Sequence, residues 1–422
     1  MKIFRIQLFL TFKDYLRSIV LNFRNIEDKI NKQICSNSKK KYFQFSNQLR
    51  VSFLILLKFL KKKHPKKKEI IFSSFNLEEM VEIAKNLDFK IKFVDINYKS
   101  GNPNIDNLKK AITKRSLAFV YTNMFNDYHD QLRVKKLCKK NKIIFIEDNA
   151  IYFDNYHLFK RKKIFSGSLG DYTLYSFNIM KNISGLYGGG ISSNDKNFFL
   201  YNEKMQANFK KFPKLIYLKQ NIIFLLLKLF SINLIYKYLF FNFVKYAHIK
   251  NNKTLLTLFY PSLRFKIKNI PNYYYSKISN LSKKLIYLQI CNTKQRKINH
   301  QIRKKNNIYY SNIFNKLQQK KINLLNLKDF NYQNFLSFPI LTENKNSLYK
   351  YLLNRGFELK YIHYKDCSKT FKTKGKLNIN ASLFEKKLLC LPNHSKINKN
   401  YIINVSNAIN DFYLKNDNNK RN

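Results

Sequence analysis

Tryptophan is absent from this sequence, and glycine occurs only 9 times in 422 residues. Lys, Asn, Ile, Phe and Tyr dominate in their place, the mark of a compositional bias acting on every exposed position. Acids are scarce: Asp+Glu number 25 against 80 Lys+Arg, a formal net charge of +55. Such a charge suits a polyanion such as nucleic acid, anionic lipid or a phosphorylated substrate. The lysines are spread along the chain and form no single stripe. No nucleic-acid module is recognisable, so no specific nucleic-acid partner is expected. Paired cysteines are missing as well. Cys35, Cys138, Cys291, Cys367 and Cys390 lie far apart with no C-x-x-C, which argues against a zinc site or a disulfide framework and for a reducing cytoplasm. Long apolar runs are also lacking. Met1 to Leu21 is interrupted by Lys2, Arg5, Lys13, Asp14 and Arg17, so no secretory signal is expected. Nowhere does the chain run the roughly 18 uncharged apolar residues of a membrane span.

What is present is a chain with 45% hydrophobic residues, long enough for a large core and more than one domain. Residues 1–45 are basic and mixed, and are expected to form an N-terminal helical segment. Residues 50–60 read as a buried helix that ends before His64-Pro65. Short apolar runs then alternate with helical stretches. Strands are expected at Glu69–Phe72, Lys90–Asp95, Leu117–Thr122 and Lys142–Asp148. Helices are expected at Leu77–Leu87, Ile105–Ile112 and Asp130–Asn141. This alternation predicts a largely parallel sheet with helices on both faces, an α/β fold. Chemistry in such sheets gathers at the carboxyl ends of the strands. Asp148 lies there, as does the loop that follows the strand Tyr172–Phe177 and carries Lys181.

Residues 205–270 break the pattern. The stretch 221–246 is strongly apolar, but Lys228, Lys237 and Lys245 cut it short. Two readings stay open: a basic amphipathic helix pair lying on an anionic membrane, or a helical insertion packed on the protein itself. Residues 277–320 read as one long helix, with Ile278, Leu281, Leu285 and Leu288 on a face. A smaller α+β domain is expected over 321–414. It has a strand at Phe335–Leu341, a helix at Ser347–Arg355, a last helix after Ile397, and a polar tail from 415 to 422. The large domain is then 46–204 with 271–320.

The local chemistry comes down to an acid ending one buried strand (Asp148), a hydroxyl ending a later one (Ser176), a lysine five residues on (Lys181), and the run Gly188-Gly189-Gly190. Pyridoxal phosphate requires a lysine for its imine, an acid opposite its ring nitrogen, and donors for its phosphate. The lysine must lose its proton to attack, which burial beside other cations promotes. By spacing alone the signal is weak, because a loop lysine in so basic a chain is ordinarily a solvated one.

Longer motifs make it specific. Gly167-Ser168-Leu169-Gly170-Asp171, then Ser176-Phe177 through Lys181-Asn182, then Gly188-Gly189-Gly190 and Asn194-Asp195, resemble the DegT/DnrJ/StrS family. These are fold-type I pyridoxal-phosphate enzymes acting on nucleotide-linked sugars. Ile146-Glu147-Asp148 with Ala150 matches the family's I-E-D-x-A. Phe93-Val94-Asp95-Ile96 and Ile105-Asp106 match the strand and turn upstream. Ile278-Ser279-Asn280 with Gln289, then Arg355-Gly356, His363-Tyr364 and Leu391-Pro392, follow in family order. The resemblance runs from about residue 45 to the C-terminus, outside 205–270, and implies a sheet of the seven-stranded type.

It also implies roles. Lys181 would be the Schiff-base lysine and proton shuttle, Asp148 the partner of the pyridinium nitrogen, and Ser176 a ligand of the cofactor phosphate. Where the family has S-G-T, this chain has Ser46-Asn47-Gln48, so the Asn47 and Gln48 amides would replace those donors. Three residues after the acid, where the family has Gln or His, stands Ile151. The family's G-E-G-G becomes Leu186-Tyr187-Gly188-Gly189. The implied activity is transamination of a nucleotide-linked keto-sugar with an amino-acid donor, by a homodimer, for surface polysaccharide. The competing expectation, motivated by Ile151 and Asn47-Gln48, is a non-catalytic relative acting as a binding or scaffold protein.

Overall fold

The computed structural model describes residues 2–20, 22, 24–159, 162–252, 254–256, 270–316, 321–327, 333, 335–360, 364–372 and 379–418. Seven strands form its central sheet: β1 (Tyr42–Ser46), β2 (Glu69–Ser73), β3 (Lys90–Val94), β4 (Ser116–Thr122), β5 (Ile144–Asp148), β6 (Tyr172–Ser176) and β7 (Gly189–Ser193). Their order is β1-β7-β6-β5-β4-β2-β3. Only β7 runs against the other six. Every residue of β2, β4 and β6 is buried. Strands covered on both faces must read as near-continuous apolar runs, which is why they were visible in the sequence.

Helix α3 (Leu49–Lys63) follows β1 directly and lies against β7 and β6. Ten of its fifteen residues are buried, so it is a core helix and not a surface one. α4 (Glu78–Lys85), α5 (Ile105–Ala111) and α6 (Tyr128–Lys140) return the chain between parallel strands, as crossover connections require. α5 and α6 begin at Asn104 and Asp127, whose side chains accept from first-turn backbone N–H groups.

The structure departs from the expected elements in three places. The N-terminal segment holds two helices, Phe12–Val20 and Ile26–Ser38, but its last residues are strand. Phe43 and Phe45 point into the core while Gln44 faces Asn202, so Tyr42–Ser46 is the edge strand of the main sheet. A hairpin, Tyr156–Phe159 with Lys162–Phe165, was not foreseen. The single helix expected over 277–320 is two, Asn280–Cys291 and Thr293–Lys316. Asn292 leaves the helical conformation at ψ 65°, and its side chain accepts from Gln295 N at 3.2 Å, ending one helix and capping the next.

The smaller domain has an antiparallel sheet of Ile322–Leu324, Ser337–Thr342 and Leu388–Pro392. Helices Lys345–Asn354, Ile379–Lys387 and Lys399–Asn418 accompany it. Tyr310 reaches it from helix Thr293–Lys316 and stacks on Phe338, ring centroids 4.7 Å apart. Asp95 ties this domain to β3: its carboxylate accepts from the backbone N–H groups of Asn380 (3.1 Å) and Ala381 (2.9 Å). Of the expected tail, 419–422 lie outside the described residues.

The insertion contains helix Lys214–Phe230 and a second helical segment, Asn233–Ile249, bent 82° from it. Its inner face packs on the body. Phe224, Leu227, Phe230, Tyr236, Phe241 and Val244 are buried with Phe4 and Leu8 of the N-terminal segment. Lys228, one of the lysines that cut the apolar run in the sequence, turns inward and donates to Leu8 O at 3.0 Å.

Candidate active site

The carboxyl ends of β5 and β6, the start of α3 and the small domain enclose a cavity of about 510 Å³. Asp148, Ser176, Lys181 and Gln48 line it, joined by Arg50 and Lys360. The family motifs explain how the acid is held. Glu147 points to the other side of the strand, where its carboxylate accepts from Gly167 N (2.8 Å), Gly170 N (3.0 Å) and Leu169 N (3.3 Å). Asp171 accepts from Phe145 N at 2.8 Å. These two acids fasten the 167–171 turn to β5, and Asp148 is left at the rim with its side chain in the cavity. One of its oxygens accepts from Ala150 N at 3.0 Å. Burial raises its pKa to about 6, against the pull of the Ala150 N–H, Lys181 and Arg50.

Lys181 sits in a tight loop after β6. Phe177 N donates to Gly188 O (2.8 Å), Gly185 N to Phe177 O (2.7 Å) and Lys181 N to Asn178 O (2.9 Å). Gln289 braces the loop from outside: its Oε1 accepts from Ser184 N at 3.0 Å and its Nε2 donates to Ser184 O at 2.7 Å. The next residue, Asn182, accepts from the buried Arg303 at 2.8 Å. Among the described residues nothing hydrogen-bonds the Lys181 amine. Burial first, then the Lys360 ammonium, lower its pKa to about 8, with Asp148 pulling the other way. Leu186 holds the left-handed conformation (φ 64°) where the family has glycine. Its complete burial beside Ile179 and Leu285 offsets a backbone cost of about 1–2 kcal/mol.

The glycine run has a specific task. A Cβ on Gly189 would lie 2.1 Å from Leu49 N and 2.2 Å from the Gln48 carbonyl carbon. Only glycine lets β7 pass so close beneath the start of α3, beside the bridge between Gln48 and Gly188. That contact sets the helix N-terminus, with its outward N–H groups, at the cavity.

Four of the five residues expected to bind cofactor or catalyse therefore line one cavity. Asn47 does not. Its amide donates to Tyr273 O (2.8 Å), Ser276 O (2.8 Å) and Ser276 Oγ (2.9 Å), away from the cavity. It fixes the 273–276 turn to the strand–helix junction. Ile151 lines the cavity as an apolar wall. His363 lies outside the described residues, while its neighbour Tyr364 lines the cavity. The sequence reading missed Arg50 and Lys360. Arg50 stands in the first turn of α3, with Glu79 and the Tyr274 hydroxyl each 3.5 Å from its guanidinium. Burial draws its pKa down, but these two partners outweigh that and raise it. Its place at the mouth of the helix was a usable signal; Lys360 had none.

A mostly parallel seven-stranded sheet with a lysine and an acid converging at its carboxyl edge is the architecture of a fold-type I pyridoxal-phosphate enzyme. Residues 29–208 match the family model described as the DegT/DnrJ/EryC1/StrS aminotransferase family. An uncharacterised protein of Methanocaldococcus jannaschii is 27% identical over 130 residues, 31% of this chain. The match spans 33% of that curated relative's length. Among solved structures, Helicobacter pylori PseC, an aminotransferase of pseudoaminic acid biosynthesis, is similar with TM-score 0.68 and 17% identity, over 97% of this chain and 98% of its own. The Escherichia coli GDP-4-keto-6-deoxy-D-mannose-3-dehydratase with bound hydrated PLP is similar with TM-score 0.67 and 17% identity, over 95% and 96%. DesI in the presence of its TDP-sugar product is similar with TM-score 0.68 and 12% identity, over 97% and 92%. At such identities these likenesses establish the fold.

The cofactor is pyridoxal 5′-phosphate, and the residues present fit it. Asp148 offers a buried carboxylate for the ring nitrogen and Lys181 an amine of lowered pKa for the imine. Ser176 Oγ, which has no partner among the described residues, and the start of α3 offer donors for the phosphate, with Arg50 adding a cation. Ile151, in the cavity wall, would offer no hydrogen bond to the ring hydroxyl.

Proposed function

We propose that this protein is an aminotransferase that converts a keto group on a nucleotide-linked sugar to an amine, taking nitrogen from an amino acid, in the making of surface polysaccharide. The observation that carries the reading is Lys181, with its amine lowered to about 8, in one cavity with Asp148. Bound cofactor supplies the electron-withdrawing ring that stabilises a carbanion. The protein supplies the rest. At near-neutral pH Lys181 Nζ is poised both to hold and to release a proton, as a general acid–base at the substrate carbon must. Asp148 would keep the ring nitrogen protonated by offering it a carboxylate in a buried site. A lysine at this position, where a dehydratase-like relative would carry histidine, keeps transamination open.

The cations lining the cavity suit an anionic substrate. Support for the nucleotide-sugar class comes from DesI, solved with its TDP-sugar product, and from the sugar chemistry named for PseC. The reading includes a homodimer, since fold-type I sites are built across a dimer interface, and a cytoplasmic location. An absorbance spectrum with and without borohydride reduction tests it. The expected result is a visible band, lost on reduction and absent in Lys181→Ala, with amine transfer to a nucleotide-linked keto-sugar. Ile151 favours a second reading, a scaffold that keeps the fold without turnover. A cofactor band with no transfer to any keto-sugar would select it.

A further inference from the structure

The insertion leaves an apolar surface uncovered. Helix Lys214–Phe230 carries large apolar side chains on both its buried and its exposed face. Its inner face is packed on the body. Its outer face carries Leu215, Leu218, Ile222, Leu225 and Leu229, all exposed, at alternating steps of three and four residues. The bent second segment continues this with Leu234, Tyr238, Leu239, Phe243 and Tyr246, and Leu215 and Leu234 are 81% and 70% exposed. Helix Phe12–Val20 packs alongside: Tyr15 OH donates to Asn221 at 2.8 Å, and its ring lies 5.1 Å from that of Phe224. It too exposes Phe12, Leu16, Ile19 and Val20. Soluble surfaces rarely carry so many large apolar side chains on neighbouring helices.

Charge decides what covers this surface. No Asp or Glu occurs between Glu203 and Asp329. The cations of the insertion sit around the apolar residues, with Lys214, Lys219, Lys237 and Lys250 exposed. A second copy of the chain seated here would bring lysines against lysines, and Asp14, the acid of helix Phe12–Val20, is buried and accepts from Thr11. Among the described residues no single helix is long and apolar enough to cross a bilayer, and the pair that passes by length and composition together is bent by 82°. We propose that helices Phe12–Val20, Lys214–Phe230 and Asn233–Ile249 form a docking surface that lies in the interface of an anionic lipid bilayer. Leucines and phenylalanines enter the acyl boundary, tyrosines sit at headgroup depth, and lysines extend to the lipid phosphates. Each lysine near such a surface adds attraction that salt screens.

The test uses the full-length protein with phosphatidylcholine vesicles made with and without phosphatidylserine. It reads only binding, so its outcome is separate from that of the cofactor spectrum. Co-sedimentation with the phosphatidylserine vesicles is expected, weakened by salt. The double variant Leu225→Asp/Leu229→Asp should weaken it about ten-fold or more, equivalent to roughly 1.4 kcal/mol. Because the chain has no tryptophan, Leu225→Trp gives a sole reporter. Its emission should shift to the blue on adding vesicles, while that of Leu383→Trp, in the small domain, should not. Absence of binding, equal binding by the double variant, or no shift from Leu225→Trp would overturn the proposal. So would a lipid-free dimer that the double variant dissociates, since the covering partner would then be a second copy.

Discussion

Asp148→Asn should move the cofactor-free and cofactor-loaded proteins in opposite directions. Burial raises this carboxyl to about 6, from 3.8 in an ordinary aspartate. A carboxyl whose folded-state pKa is raised costs the fold stability whenever it is ionised. The cost is absent below about pH 4, grows between the two values, and is complete above about 6. At roughly 1.4 kcal/mol per unit, a gap of about two units sets an upper bound of about 3 kcal/mol. Asparagine has no charge to desolvate, and its oxygen can still accept from Ala150 N. The cofactor-free variant should therefore be more stable than the parent by about 1–3 kcal/mol near pH 7.5, a rise of a few degrees in Tm, and equal to it near pH 4. With cofactor the sign reverses. A charge-assisted hydrogen bond to the ring nitrogen is lost, worth about 1.5–3 kcal/mol, so Kd should rise by roughly 10- to 150-fold. Thermal melts at both pH values, with and without pyridoxal phosphate, and a spectral titration measure all four quantities. A cofactor-free variant less stable than its parent at pH 7.5, or one that binds cofactor equally well, would refute the placement of Asp148 against the ring.

Further outcomes follow from the neighbouring groups. The rate at which cofactor-free protein captures pyridoxal phosphate should rise with pH and level off above about 8, because only the neutral amine of Lys181 attacks. In Lys360→Met, with that ammonium gone, stopped-flow absorbance should place the inflection higher. Arg50→Gln should weaken cofactor binding by about ten-fold, from the loss of one cation at the phosphate end, and equilibrium dialysis reads this directly. Gly189→Ala forces a Cβ against the backbone of Gln48 and Leu49. It should cost at least about 1–3 kcal/mol in denaturant unfolding, since backbone cannot yield as a side chain can.

How much of this was legible in the sequence depended on distance along the chain. Asp148 and Ser176 could be found because each is the polar end of a largely buried strand, and such strands announce themselves as apolar runs. Lys181 was found through its flanks, and the structure supplies the reason for some of them: Asn182, Gly185 and Gly188 are residues that fold and anchor its loop. Asn47 was misread because adjacency to Gln48 says nothing about side-chain direction. That direction is set by Tyr273 and Ser276, more than 220 residues away. Arg50 and Lys360 were two cations among 80 Lys+Arg, and only tertiary packing brings Lys360 to the Lys181 amine. The Phe43–Phe45 alternation was present but short, and it follows the lysines at 39–41 that made the segment read as a basic helix.

The insertion shows a different limit. Its sequence posed packing on the protein and contact with membrane as rivals, because an apolar run carries no label for which face goes where. The structure answers the first by burying one face on the N-terminal segment, and in doing so exposes the second question in sharper form. A helix apolar on both faces can satisfy a soluble body with only one of them. The inward turn of Lys228 to Leu8 O strengthens the point. Lys228, which cuts the apolar run in the sequence, belongs to the inner face, so the outer stripe from Leu215 to Leu229 is interrupted only by Lys219, near its start.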